Sequence, residues 1–296
     1  MKIIFTILFL ALCNLSMSQN FQQEFGEAFR ANDTLEQLKI LNSWEKSSPK
    51  NPELFTSFYN YYFRLAKKEV VSLTKQQPDG ESFALRDSLN QTAGYMGSKI
   101  YYDANNLRNA FLKIDKGITL HPNRLDMRFG KIYALGTVEN WEEFTNEIIN
   151  TVNYSKTNSN KWLWTNNEEK QDGKGFMLSS IQSYQLQLYN TEDDALLSNM
   201  QRIASSILAI YPDNIESMSN LSITYFLTKQ YDKGIEILLK AEKTNPKDYI
   251  VLANIAHGYN LIGNKAKAIE YYEKTILHGN DDTKAFAREK IQLLKK

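Results

Sequence analysis

Apolar and polar positions follow a helical rhythm along most of the chain, and the rhythm is clearest toward the C-terminus. Leu252, Ile255, Ala256 and Tyr259 fall on one face of a helix, Gly263-Asn264 interrupts them, and Ala268, Ile269, Tyr272 and Ile276 form a second stripe. Two stripes around a short break predict a helical hairpin. The same pattern runs earlier through Met218, Leu221, Ser222 and Tyr225, then Gly234, Ile235, Leu238 and Ala241. At an offset of 34 residues, Asn220, Tyr225, Leu227, Lys233, Ile235, Glu236, Lys240 and Asp248 recur as Asn254, Tyr259, Leu261, Lys267, Ile269, Glu270, Lys274 and Asp282. These eight identities stand against about two expected by chance, and the period is that of helix-turn-helix repeat units. Gly234 and Ala268 share one position, where a small residue lets the second helix lie close to the first.

Taken together, these residues resemble tetratricopeptide repeats. The small residues, Tyr225 and Tyr259, Gly263 between the helices, the run Ala268 to Lys274, and Pro212 and Pro246 at the unit ends all match that pattern. Lys229 departs from it where the turn glycine belongs, and Asn280 where a closing proline belongs. The resemblance implies an all-α solenoid of antiparallel helix hairpins whose concave side, lined by the first helix of each pair, binds a peptide or protein segment. On that side it places Glu216, Ser219, Ile223 and Phe226 in one unit and Ile250, Ala253, His257 and Asn260 in the next. Family members that clamp a chain-terminal carboxylate use lysine or arginine there, whereas Ser219 and Ala253 bring no charge, so an apolar or amide-bonding contact is expected. Each of these residues reads equally well as a contact with the neighbouring unit. A histidine in the groove would make binding respond to mildly acid pH.

Proline placement extends the helical reading. Pro49-Lys50-Asn51, Pro122-Asn123-Arg124, Pro212-Asp213-Asn214 and Pro246-Lys247-Asp248 each combine a helix stop with a polar residue able to cap the next helix. Phe55, Phe58, Tyr59, Tyr62 and Phe63 share one helical face, as do Leu125, Phe129, Ile132 and Tyr133. These stretches predict a diverged helical-repeat region over 19-160, with insertions because the period is lost. Ser88 to Asn106, with Gly94, Gly97 and Lys99-Ile100-Tyr101-Tyr102, reads either as a bent helix or as a short extended segment. Residues 161-175 predict a loop, and 176-296 the regular repeats, ending in a capping helix with Phe286, Ala287, Ile291 and Leu294 on its apolar stripe.

At the start, Lys2 precedes the apolar run Ile3 to Leu12 and then Ser16-Met17-Ser18, which reads as a signal peptide over 1-18. The rival reading, lipidation of Cys13, meets the large Leu12 where a small residue is needed. Beyond Ser18 the chain has no cysteine and no apolar stretch long enough to span a bilayer. Export to the periplasm or cell envelope, or secretion, is therefore expected, with packing and not disulfides holding the fold. The formal net charge of +1 gives no case for nucleic acid. It says nothing of oligomeric state.

Candidate chemistry is sparse. His121, His257 and His278 have no ligand spacing, so no metal site and no cofactor are expected. Asp193-Asp194 and Asp281-Asp282 read as helix caps, and neither a phosphate loop nor a nucleophile elbow is present. The chain is expected not to be an enzyme but a scaffold with a protein or peptide partner. The alternative is a hydrolase or glycan-binding protein with a site in the irregular front half, for which Trp162 and Trp164 in a polar stretch would form an aromatic platform. A plug of these rings onto the helices beneath is the commoner use.

Overall fold

The structure is a computed structural model that describes residues 20–78 and 81–296. The expected signal peptide, 1-18, lies outside them. The chain divides into two compact units, Met1–Val138 with Leu163–Glu169, and Glu139–Trp162 with Lys170–Lys296.

The first unit contains helix α1 over 20–30, α2 (Thr34–Ser47), α3 (Pro52–Ala66), α4 (Ala104–Leu120) and α5 (Leu125–Thr137). Polar caps start most of them: Asp33 accepts from the Glu36 amide at 3.0 Å and Asn51 from the Glu53 amide at 2.8 Å, with Pro52 in the first turn of α3. Phe25, Leu41, Trp44, Leu54 and Phe58 form one core, and Tyr59, Ala110, Ile114 and Met127 another. Gly117 lets α4 approach α3, since a Cβ there would come 2.8 Å from Cβ of Phe55.

The helical expectation for 19-160 needs one addition. Between α3 and α4 lies a three-stranded antiparallel sheet of β1 (Lys67–Thr74), β2 (Ser82–Arg86) and β3 (Thr92–Tyr102), in the order β1-β3-β2. The open choice for Ser88 to Asn106 thus resolves to an extended strand followed by the start of α4. Val70, Val71, Ile100, Tyr101 and Tyr102 suit a pleated backbone. The sheet continues directly from its helices: Asp103 N–H donates to the Ala66 carbonyl at 2.8 Å, and Tyr102 stacks on Phe63.

The second unit contains α6 (Trp141–Thr157), α7 (Gly173–Tyr189), α8 (Leu197–Ile210), α9 (Ile215–Leu227), α10 (Tyr231–Thr244), α11 (Tyr249–Leu261), α12 (Lys265–His278) and α13 (Asp281–Leu294). From α7 onward each helix packs on the next, and α6 packs on α8. The stretch expected as a loop, 161-175, holds a 3-10 turn at Thr165–Asn167, isolated bridges at Leu163 and, from Gly173, the start of α7. In α13, Ala287 and Ile291 are buried, while Phe286 lies exposed with its edge on Tyr272.

One backbone device recurs in both units. Asn32, Glu139, Glu192, Lys229 and Gly263 all have positive φ, and each directly precedes the residue at the N-cap position of the next helical segment. After α1, α9 and α11 the following amide donates five residues back, from Asp33 to Ala28, Gln230 to Tyr225 and Asn264 to Tyr259, which satisfies carbonyls that a helix end leaves free. Only Gly263 among the five is a glycine, so the periodic turn is hidden in the sequence.

Candidate protein-binding face

The candidate face is built by α9 and α11. Asn214 starts α9 by accepting from the Ser217 amide at 2.9 Å, and Asp248 starts α11 by accepting from the Ile250 and Val251 amides. Each helix then turns its apolar stripe into the core, Met218 and Leu221 from α9, Val251, Leu252, Ile255 and Ala256 from α11. What remains on the outer side of α9 is Glu216, exposed, with Ser219 and Ile223 half-buried. On α11 it is Ile250, 57% exposed, half-buried Ala253, and exposed His257 and Asn260.

Phe226 is a correction. Expected on the groove, it is only 8% exposed. Its ring fills the space above two glycines: a Cβ on Gly258 would come 2.7 Å from Phe226 Cζ, and one on Gly234 would strike the same ring. The small residue at 234 therefore admits an aromatic ring and not merely the neighbouring helix. The last turn of each outer stripe is instead occupied by Leu227, 50% exposed, and Leu261. These two were among the 34-residue identities, and helical spacing from Ile223 and His257 reaches them at the fourth residue.

His257 lies edge-on to Phe226, with ring centroids 6.1 Å apart. Much of the residue is open, but its ring has lost part of its water; that loss, and then the Lys290 ammonium, hold its pKa below the ordinary histidine value. The proton would therefore bind only under more acid conditions than an unperturbed groove histidine suggests.

Beyond Leu227 the face meets a cavity of about 490 Å³ lined by Leu188, Tyr189, Leu197 and Met200, with Glu192, Asp193 and Asp194 also on its wall. Ile223, Leu227, Ile250 and Leu261 thus give the face an apolar character.

The tryptophan platform is also corrected. Trp162 is fully buried, its ring 5.9 Å from that of Tyr154, and Trp164 is half-buried with its edge on Phe129. A ring with no accessible surface cannot stack on a sugar. The remaining histidines stand at helix ends: His121 follows α4, with Nε2 2.7 Å from the Lys50 carbonyl, and His278 ends α12.

Sequence reasoning missed the buried ion cluster of the first unit. Arg124, 1% exposed, donates to both carboxylate oxygens of Glu53 at 2.7 and 3.1 Å and to both of Asp126 at 2.8 and 2.7 Å. Burial alone would lower the arginine pKa, but its hydrogen bonds to Asp126 and Glu53, with their negative charge, outweigh it and raise it. The Asn166 amide adds a bond to Glu53 at 2.8 Å. Arg124 stands at the cap position of α5 without capping it; the Leu125 amide is satisfied by the Leu163 carbonyl at 2.9 Å instead. Only its place beside Pro122 pointed to it, and that pattern suggested a cap.

A family model of the tetratricopeptide repeat matches residues 215–248, which span α9, α10 and the cap of α11. Residues 215–248 are thus a tetratricopeptide repeat. The chain is similar to YrrB, described as a TPR protein with an unusual peptide-binding site, at 14% identity over 84% of this chain and 97% of that one, with a TM-score of 0.41. It is similar to PilW, a type IV pilus biogenesis factor, at 12% identity over 91% and 98%, TM-score 0.39. A third similar structure is the C-terminal part of a TPR repeat-containing protein from Cytophaga hutchinsonii, at 15% identity over 86% and 78%, TM-score 0.40. No curated protein matches the chain.

Proposed function

We infer that this chain is an exported interaction scaffold and that the outer side of α9 and α11 holds a segment of a protein partner. The observation that carries the reading is the set of exposed aliphatic side chains on helices whose other faces are already packed. Ile250 and Leu227 could have been polar at no cost to the core, yet both are large, apolar and at least half open to water. Ser219 and Ala253 between them are short enough for another backbone to come close. The absence of lysine and arginine from these positions favours an apolar segment over a terminal carboxylate.

The reading is tested by placing a photo-crosslinking residue at position 250 or 257 in cells of the native host, with an exposed position on the far side of unit two, Glu236, as control. The expected result is one defined protein adduct from 250 and 257 and none from 236, lost when Leu227 and Leu261 are changed to Asp. Equal or absent adducts at all three positions would remove the proposed face. Export is tested separately by fractionation: a mature chain beginning near Gln19 outside the cytoplasm is expected, and an intact chain retained inside would refute it.

A further inference from the structure

The sheet of the first unit presents a bare apolar face. Strand register places Leu73, Met96 and Phe83 in one row across all three strands, with Val71, Ile100 and Leu85 in adjoining rows on the same side. All six are exposed, Phe83 by 73% and Leu73 by 72%. The opposite side differs. There Pro78 lies over Gly97, where a Cβ would come 3.0 Å from the proline ring, and the exposed Val70 and Tyr101 are interleaved with the charges of Lys68 and Lys99. On the bare side the charged strand residues are Lys67 and Glu69, which cancel. From their exposures, the six apolar residues present roughly 600 Å² to water, at the upper end of the about 300–600 Å² that the largest patch on a monomer usually shows.

We propose that this face is an interface between two copies of this chain, sheet stacked on sheet. Two such patches removed from water amount to about 1,200 Å², the lower bound of a specific, stable interface. A face whose one apolar row is flanked by Val71 beside Ser98 and by Leu85 beside Gly94 can meet its own copy across a two-fold axis, as an isologous contact requires. Its cancelling charges neither repel a second copy nor offer a charged partner anything to pair with. β1 and β2 are the edges of the sheet, and stacking through the face leaves both unpaired; the contact is a closed pair, which strand addition at an edge would not ensure. The inference stands apart from the reading of α9 and α11, which lie in the other unit.

Sedimentation velocity of the full chain across the micromolar range tests it. The native chain is expected to sediment as a concentration-dependent dimer. Changing Leu73→Lys and Phe83→Lys together is expected to weaken the dimer at least about 100-fold while the far-ultraviolet circular dichroism is unchanged, because both side chains are exposed in one copy. Lys99→Glu on the opposite side is expected to leave the dimer intact. A monomer at every concentration, a dimer indifferent to the double change, or one lost equally on changing Lys99 would each overturn the proposal; the first would leave the face to a foreign partner.

Discussion

In the second unit α9 returns into α10 through Thr228, Lys229 and Gln230, whereas in the first unit α3 returns into α4 through an entire sheet. Both pairs nevertheless pack closely, and both do so over a glycine, Gly234 beneath Phe226 and Gly117 beside Phe55. The connection is thus secondary to the facing surfaces: lengthening a surface loop costs little free energy, while a misplaced Cβ in the contact meets a wall of packed atoms. What separates the units is the range of the contacts that complete them. Phe226 is held by glycines within a single hairpin and its next neighbour, but Arg124 joins Glu53 across 71 residues, and the Asn166 amide reaches Glu53 across 113.

The largest effect that would sharpen this contrast is loss of the ion cluster. Arg124→Met is expected to destabilise the first unit by about 3–5 kcal/mol, because it strands two buried carboxylates. Urea unfolding followed separately in each unit, with a probe near Trp44 and another near Tyr272, should show the change only at the first. If both transitions move together, the units do not unfold independently and the comparison fails.

Next comes the ring over the glycines. Phe226→Ala is expected to cost about 3–5 kcal/mol through the cavity it leaves. Gly234→Leu alone should overpack by roughly 1–3 kcal/mol, and less in the Phe226→Ala background, where the space is vacant. Additive losses in that double-mutant cycle would mean that residue 234 is crowded by something other than Phe226. For the same reason Phe226 is a poor choice for probing partner binding; Leu227 is the better one.

A smaller effect separates the equivalent turns. Lys229 adopts φ 60° where Gly263 adopts 76°. Lys229→Gly is expected to stabilise by up to about 1 kcal/mol and Gly263→Lys to cost about 1–2 kcal/mol, read from thermal unfolding. Opposite signs are the point of the comparison, and the same sign for both would show that the backbone angle does not control these turns.

The smallest effect is the pH response of His257. Its folded pKa lies below the ordinary value, so above that value both folded and unfolded states are neutral there and nothing is lost. As pH falls through the ordinary histidine range toward the folded pKa, the unfolded state takes up the proton first and stability declines; below the folded pKa the decline stops. His257→Asn should flatten that part of the stability profile of the second unit, and Lys290→Gln should flatten it partly. A stability that rises on mild acidification would contradict the assigned direction.

Helix pairs over 215–294 could be read from residue order because their cues are local: stripes three and four apart, proline at the stops, asparagine or aspartate at the starts. The candidate face was legible for the same reason up to its last turn. Which of Phe226 and Leu227 points inward was decided elsewhere, by Gly234 on α10 and Gly258 on α11 leaving room for one ring and not by anything in α9. Lys229 hid its turn because a left-handed residue needs no glycine when the flanking helices hold it. Beyond that reach, local pattern had no purchase: β1 pairs with β3 and not with β2, its neighbour in sequence, Trp162 is out of solvent, and Arg124 adds to the nearby Asp126 the carboxylate of Glu53, 71 residues away. Periodicity records what one segment buries, and only folding brings together the groups that determine what it buries against.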